Sequence, residues 1–212
     1  MFRRKLHSGI VALGFLGATV ALAAGAPSRT TAAQSEVDSR KAFGSKNAPI
    51  VMEIFSDFQC PACKTLYMNV WRQLQENYVN TGKVYVIQRD FPLPIHAHSR
   101  EASRYANAAA QIGKFESVEQ ALFEKQEAWA ASGDVEGTVA GVLDAKQMAK
   151  VRALVKGGTL EAGIERDVAL GRSRGVNQTP TSYITCKGQV YPVVGPQTYE
   201  VFRAFLDQLL KQ

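Results

Sequence analysis

Short apolar stretches alternate along the chain with longer segments in which apolar residues recur at helical spacing. The first stretch, residues 50–55, follows Pro49 and is rich in β-branched side chains, which predicts a largely buried strand. From Pro61 to about residue 79 the apolar spacing predicts a helix. A second β-rich run over residues 83–91 ends at a proline. A strand, a helix and a strand in this order predict a right-handed parallel βαβ unit.

Residues 98–175 keep the helical spacing and contain no strand-like run. The first helix of this region is expected to start at His98 or Ser99, and another to run from Phe115 to about Trp129. The breaks between helices are expected at glycines, namely Gly113, Gly133, Gly157, Gly158 and Gly175. The pattern therefore predicts an all-helical insertion.

β character returns at residues 181–186, and a second run over residues 189–194 follows a two-residue Lys-Gly turn. Two strands around such a turn predict a hairpin, and an amphipathic helix ends the chain. The predicted order is β-α-β, a helical insertion, then β-β-α. This α/β order resembles a thioredoxin fold, with residues 48–97 and 176–212 as the thioredoxin-like domain and residues 98–175 as the insertion.

The N-terminus carries three basic residues, then an apolar run over residues 10–24 and a series of small residues. This pattern is typical of a secretory signal peptide, here residues 1–26. The apolar run is shorter than the roughly 20 residues that span a bilayer, so cleavage between positions 24 and 33 is favoured over retention as an anchor. The polar residues 27–47 lack an apolar period and are expected to form a flexible lead-in.

The charge balance follows from this N-terminus. The 212 residues carry a net charge of +6, and the basic residues at positions 3–5 supply half of it. The remaining +3 is too small to indicate nucleic acid or a membrane surface as a partner. The hydrophobic content of 46% is enough for a core.

Cysteines occur at positions 60, 63 and 186. A disulfide that encloses two residues restricts the unfolded chain little, so reactivity explains the Cys60–Cys63 pair better than stability does. The pair falls where a strand ends and a helix begins, and the unpaired N–H groups of a helix N-terminus favour a thiolate. Cys186 is expected to be a small strand residue, with a regulatory or intermolecular thiol as the alternative.

Cys60 precedes Pro61 and is predicted to be the nucleophile at the exposed end, while Cys63 lies one turn inside the helix and forms or resolves the disulfide. A substrate thiolate would attack Cys60, Cys63 would leave, and a second substrate thiol would release the product. Pro61 and Ala62 are expected to tune this chemistry because they control the N–H geometry around the Cys60 sulfur. A structural zinc half-site is the alternative. Zinc would need four ligands, and the best candidates beyond Cys60 and Cys63 are Cys186 and one histidine.

Four segments in their order resemble the signatures of DsbA-like thiol:disulfide oxidoreductases. They are Phe55-Ser56-Asp57-Phe58-Gln59-Cys60-Pro61-Ala62-Cys63, Asp90-Phe91-Pro92-Leu93 with a nearby histidine, Gly113-Lys114-Phe115, and Gly175-Val176-Asn177-Gln178-Thr179-Pro180-Thr181. The resemblance implies a redox-active disulfide without metal or other cofactor. It also implies a cis Thr179–Pro180 bond that packs against the cysteines and leaves the Thr179 backbone to pair with an extended substrate.

Acidic and histidine side chains also occur near the motif. Related enzymes tend to carry a buried acid six residues before the first cysteine, and here that position is Ile54. Glu53 should face the other side as a surface or paired carboxylate, because strand side chains alternate. Asp57 matches the family pattern and is expected to make local turn or cap hydrogen bonds. His96 and His98 are expected to be loop and helix-start residues.

These observations predict an exported, monomeric dithiol oxidase in the periplasm or at the outer face of the cytoplasmic membrane. Reduced or unfolded secreted proteins would be its substrates, and a membrane redox partner would recycle it. A reductase or isomerase is the alternative within the same chemistry. That role normally needs a dimerisation module, for which the lead-in over residues 27–47 is too short. A chaperone-like binding module with a structural Cys-x-x-Cys is the alternative from a different class.

Overall fold

The computed structural model describes residues 37–212, so the predicted signal peptide and the first part of the lead-in lie outside the described residues. The strands are β1 (Ala42–Phe43), β2 (Ile50–Ser56), β3 (Val84–Asp90), β4 (Thr181–Cys186) and β5 (Gln189–Val194). They form one sheet in the order β1-β3-β2-β4-β5. β2 and β3 are parallel, and the other neighbouring pairs are antiparallel. The parallel pair is the one that the predicted βαβ unit requires.

A long helix over residues 61–79 connects β2 to β3. It consists of α1 (Pro61–Leu66), a π-helical turn (Tyr67–Trp71), α2 (Arg72–Leu74) and a second π-helical turn (Gln75–Val79). Its buried residues against the sheet include Leu66, Val70, Leu74 and Tyr78, each four positions after the last. A strict spacing of four exceeds the 3.6 residues of an α-helical turn, so the wider π turns keep this stripe on the sheet.

Six helices follow between β3 and β4 in the described chain. They are α3 (Ser99–Ala110), α4 (Phe115–Glu124), α5 (Gln126–Ser132), α6 (Val135–Ala140), α7 (Ala145–Lys156) and α8 (Glu161–Ser173), and α9 (Tyr199–Leu210) closes the chain. This order confirms the predicted thioredoxin fold with a helical insertion. The expected helix from Phe115 to Trp129 is wrong, because Lys125 leaves helical geometry (φ −97°, ψ 18°) and separates α4 from α5.

Helices cover both faces of the sheet. One face packs against the helix over residues 61–79 and α9, and the other packs against α8. The insertion has a core of its own, in which Phe115, Phe123 and Trp129 are buried as expected. Cys60 and Cys63 belong to this second core, so they lie where the insertion meets the thioredoxin-like sheet. No helix in the described part of the chain is long and apolar enough to cross a membrane.

The end of the predicted flexible lead-in is ordered, which corrects that prediction. Residues Ser39–Lys41 form a 3-10 helix, and β1 pairs with β3 at the edge of the sheet. Lys41 is only 3% exposed; its ammonium pairs with Asp90 and lies 3.0 Å from Asp167 Oδ2. Asp167 also accepts a hydrogen bond from Arg89 Nη1 at 2.9 Å. A two-residue strand and one buried lysine create no apolar period, so the sequence pattern did not reveal this attachment.

Candidate active site

The Cys60–Cys63 pair lies at the N-terminus of α1, where the sequence pattern places it. Cys60 is the N-cap residue in extended conformation (φ −76°, ψ 122°), and Pro61 occupies the first turn, where its missing N–H is not needed. The Cys60 carbonyl accepts hydrogen bonds from the N–H groups of Cys63 and Lys64 at 3.0 and 3.1 Å. The helix therefore starts on the first cysteine of the pair.

Cys60 is less exposed than predicted for the end of the helix. Only 7% of its surface is accessible, against 2% for Cys63. Its surroundings favour the thiolate. The hydrogen bond with the Cys63 side chain lowers the pKa of Cys60 to about 5, and burial acts against this shift. The Thr179 side chain and the N–H groups of Cys63 and Ala62 lower the pKa further. A helix N-terminus beside the sulfur has this effect on a thiol.

Cys63 titrates in the opposite direction. Burial raises its pKa well above the ordinary value, and the neighbouring Cys60 sulfur adds to the shift. The Ser56 side chain and the Asp57 N–H, which lies 3.4 Å from the Cys63 sulfur, oppose it as hydrogen-bond donors. At neutral pH the reduced site therefore holds one thiolate, on Cys60, and one neutral thiol, on Cys63.

The Thr179–Pro180 loop closes the site from the distant end of the chain. Its peptide bond is cis, as the family resemblance implied. The Thr179 carbonyl oxygen lies 3.4 Å from the Cys60 sulfur and accepts a hydrogen bond from the thiol. The Thr179 hydroxyl is buried without an aligned partner in the described structure, so it can turn toward a thiolate on Cys60.

Asp57 has a wider role than the local hydrogen bonds expected of it. Its carboxylate is fully buried and accepts one local bond, from the Gln59 N–H at 2.7 Å. It also accepts from the Leu93 N–H at 2.7 Å and the Ser99 hydroxyl at 2.5 Å, and it pairs with His96 Nδ1 at 2.8 Å. The Asp57 carboxylate therefore joins the active-site loop to the segment over residues 93–99.

Gln126, the first residue of α5, contacts the active-site loop, and the sequence did not predict this contact. Its buried side chain donates from Nε2 to the carbonyl oxygens of Phe58 at 2.7 Å and Cys60 at 3.0 Å. The Phe58 ring also packs against Phe123 of α4, with ring centroids 5.2 Å apart. The insertion thus holds the main chain that carries Cys60. A glutamine on the buried side of a helix is the only sequence signal that could have suggested this contact.

The other residues near the motif lie where they were expected. Glu53 is a paired strand carboxylate, with Oε1 accepting from Arg89 Nη2 at 2.7 Å and Oε2 from Arg174 Nη1 at 2.5 Å. Ile54 packs on the opposite face of the sheet, toward the helix over residues 61–79. His98 is the N-cap residue of α3. The alternation along β2 therefore places no acid beside Cys63.

Cys186 is a buried strand residue in β4, and its sulfur lies 3.8 Å from the Leu209 carbonyl oxygen. It belongs to the core between the sheet and α9, whereas Cys60 and Cys63 belong to the core of the insertion. Over residues 37–212 no group of three or more His, Cys, Asp or Glu side chains is arranged to hold a metal ion.

The pKa of Cys60 leads to a measurable pH dependence. Iodoacetamide reacts with the thiolate, so the alkylation rate of Cys60 should rise through about pH 5 and reach a plateau at neutral pH. Thr179→Val should move the midpoint to higher pH, because it removes a side chain that lowers the pKa. Mass spectrometry of the reduced protein after timed alkylation would follow Cys60, with buried Cys186 as the internal control. A wild-type midpoint above neutral pH would contradict this expectation.

A thioredoxin fold with a thiolate-forming Cys-Pro-Ala-Cys at the start of its first long helix defines a thiol:disulfide oxidoreductase. Residues 36–208 match the family model described as Thioredoxin, and the chain belongs to that family. Disulfide bond formation protein D of Bacillus subtilis (strain 168) is 24% identical to the chain over 168 residues, which cover 73% of this chain and 71% of that protein.

Solved structures have the same fold. Wolbachia pipientis alpha-DsbA1 superposes with a TM-score of 0.67 at 20% sequence identity, over 80% of this chain and 89% of that one. Oxidised BdbD from Bacillus subtilis superposes with a TM-score of 0.62 at 22% identity, over 81% of this chain and 93% of that one. Both likenesses support the assignment of a thioredoxin fold with a helical insertion.

Proposed function

We propose that the protein is an exported dithiol oxidase that introduces disulfides into secreted proteins through Cys60 and Cys63. The observation that carries this proposal is the pKa of about 5 for Cys60. A stabilised thiolate favours the reduced protein, and the oxidised protein is therefore a strong oxidant. The name of the curated relative, a disulfide bond formation protein, supports the same direction.

The proposed reaction passes two electrons from a substrate dithiol to the protein. A substrate thiolate attacks the Cys60 sulfur and breaks the Cys60–Cys63 disulfide, and Cys63 leaves as a thiolate that takes up a proton. A second substrate thiolate then attacks the substrate sulfur of the mixed disulfide. The substrate disulfide forms and Cys60 leaves as a thiolate, which its low pKa favours. A membrane redox partner would reoxidise the pair.

The surface around Cys60 supports an unfolded protein chain as the substrate. The Thr179 carbonyl lies beside the sulfur, so a chain extended along the Thr179–Pro180 loop would bring its own cysteine to Cys60. Ile95 is an apolar side chain that is 83% exposed, in the segment that Asp57 holds near the site through His96. An exposed apolar residue at this position can contact the apolar side chains that an unfolded chain presents. Export itself is supported by the signal-peptide pattern of residues 1–26.

The reduction potential of the Cys60–Cys63 pair tests the direction of electron flow. Equilibration in glutathione buffers of known ratio, followed by alkylation and mass spectrometry, would give its value. A potential near about −120 mV is expected for an oxidase, whereas one near about −270 mV would favour a reductase and overturn the proposal. Refolding of a reduced, disulfide-containing protein should also be faster with the oxidised protein than without it.

A further inference from the structure

The exchange reaction requires a proton at a buried position. Cys63 is 2% exposed, and its pKa lies well above the ordinary value, so it becomes a neutral thiol when the disulfide opens. During reoxidation the same thiol must lose its proton before it can attack the mixed disulfide at Cys60. This proton therefore needs a route between the buried Cys63 sulfur and solvent.

A cavity of about 20 Å³ adjoins Cys63 between β2, β3 and the helix over residues 61–79. A cavity of about 10–15 Å³ on this measure is large enough for one water molecule. Ser56, Cys63 and Gln88 line it with polar groups, and the rest of its wall is largely apolar and aromatic. No charged side chain lines the cavity.

Gln88 is a largely buried residue whose side-chain amide has no hydrogen-bond partner in the described chain. It is 9% exposed, lies opposite Ile54 in the pairing of β2 with β3, and lines the cavity together with Ile54 and Cys63. Its side chain makes no hydrogen bond to any residue of the described chain. The Gln88 amide is not among the fully buried polar atoms that lack a partner, so it is accessible to a water molecule, which can hydrogen-bond it.

The charged residues around this region do not line the cavity. Asp90, two positions after Gln88, pairs with Lys41 and accepts from Asn107 Nδ2 at 2.8 Å. Glu53 lies on the other face of the sheet with Arg89. Glu119 of α4 is a buried acid whose Oε2 has no partner among the described residues, but it does not line the cavity.

We propose that the cavity binds one water molecule, held by the Gln88 amide and the Ser56 hydroxyl, which carries the proton to and from Cys63. When the disulfide opens, the Cys63 thiolate takes a proton from this water, and the water regains a proton from solvent. During reoxidation the water accepts the Cys63 proton and passes a proton to solvent, while the Cys63 sulfur attacks the Cys60 sulfur of the mixed disulfide and the redox partner's sulfur leaves as a thiolate. Gln88 is a positioning residue, because it acts on Cys63 through the water. This role rests on the proposed exchange reaction, whereas the presence of the water does not.

Two substitutions of similar size separate this role from packing. Gln88→Leu removes the amide, and Gln88→Glu keeps a polar group of the same length as a matched control. The reduced proteins would be mixed with oxidised glutathione, quenched with acid at timed intervals and analysed by mass spectrometry. Formation of the mixed disulfide depends on Cys60 and should be equal in Gln88→Leu and the wild type.

The attack of Cys63 on the mixed disulfide should distinguish the variants. Because a positioned proton-transfer group typically contributes about 10²–10⁴-fold, this attack should be at least about tenfold slower in Gln88→Leu. The glutathione adduct would then accumulate in Gln88→Leu but not in the wild type or in Gln88→Glu. Resolution of the adduct by Gln88→Leu at the wild-type rate would overturn the proposal.

A crystal structure of the wild-type protein at a resolution that shows ordered water gives an independent result. One water should lie within hydrogen-bonding distance of both the Gln88 amide and the Cys63 sulfur. An empty cavity would overturn the proposal whatever the kinetics, including the case in which Gln88→Leu fails to fold. Wild-type protein that forms no adduct with glutathione would instead refute the proposed function, and the crystal structure would then test the water site alone.

Discussion

Replacing Cys60 with serine should reduce thiol–disulfide exchange to the level measured in buffer without protein. Cys60 is the sulfur with the low pKa, and the Thr179 carbonyl oxygen lies 3.4 Å from it. A serine hydroxyl cannot replace it, because the thiolate is the reacting form and serine stays protonated without an adjacent base. Insulin reduction and the refolding of a reduced, disulfide-containing substrate would both measure this loss.

The other two cysteines provide matched controls for this experiment. Cys63→Ser keeps the attacking sulfur but cannot resolve the adduct, so it should trap a mixed disulfide with the substrate. Cys186→Ser should keep wild-type activity, because Cys186 lies in a different core. If Cys60→Ser were as active as Cys186→Ser, the pair would be structural, and a chaperone-like binding module would become the better interpretation.

Replacing Lys41 with methionine should cause a large loss of stability. The substitution leaves the buried carboxylates of Asp90 and Asp167 with one cation fewer. Removal of one partner from a buried ion pair typically costs about 3–5 kcal/mol, because the remaining charge is uncompensated. At about 2–4 °C per kcal/mol for a domain of this size, Tm should fall on the order of 10 °C. Thermal and urea unfolding followed by circular dichroism would measure the change.

Arg40→Met is the matched control, one position earlier in the chain. Arg40 pairs with Asp38 at an exposed position, where an ion pair contributes about 0–1 kcal/mol. A loss of stability for Lys41→Met no larger than that for Arg40→Met would contradict the expected role of the buried cluster.

The pKa of Lys41 is raised despite the opposing effect of its burial, because Asp90 and Asp167 favour the charged form. Its stabilising contribution should therefore be complete below pH 10.5 and be lost as the pH rises through the raised pKa.

Periodic features of the sequence allowed most elements to be predicted. Strands β2 to β5, with the hairpin, and the helix over residues 61–79 follow from the spacing of apolar residues, and the role of the cysteine pair follows from its place at a strand-to-helix junction. The cis bond before Pro180 was implied only by the family resemblance, because local sequence does not determine the isomer. The break at Lys125 was missed because neither glycine nor proline marks it.

The polar contacts around the site could not be predicted in the same way. The Asp57 carboxylate meets the Leu93 N–H, 36 positions away, and Lys41 meets Asp167, 126 positions away. Such contacts join single residues from distant segments and leave no repeat in the sequence. They depend on the tertiary arrangement, which places the insertion and the strand ends around one loop.

The contact between Thr179 and Cys60 has a consequence for the newly made protein. Thr179 follows Cys60 by 119 positions, and both its carbonyl and its side chain act on the Cys60 sulfur. Synthesis proceeds from the N-terminus, so Cys60 emerges from the ribosome well before the Thr179–Pro180 loop. The contribution of Thr179 to the low pKa of Cys60 is therefore gained only when the fold is completed.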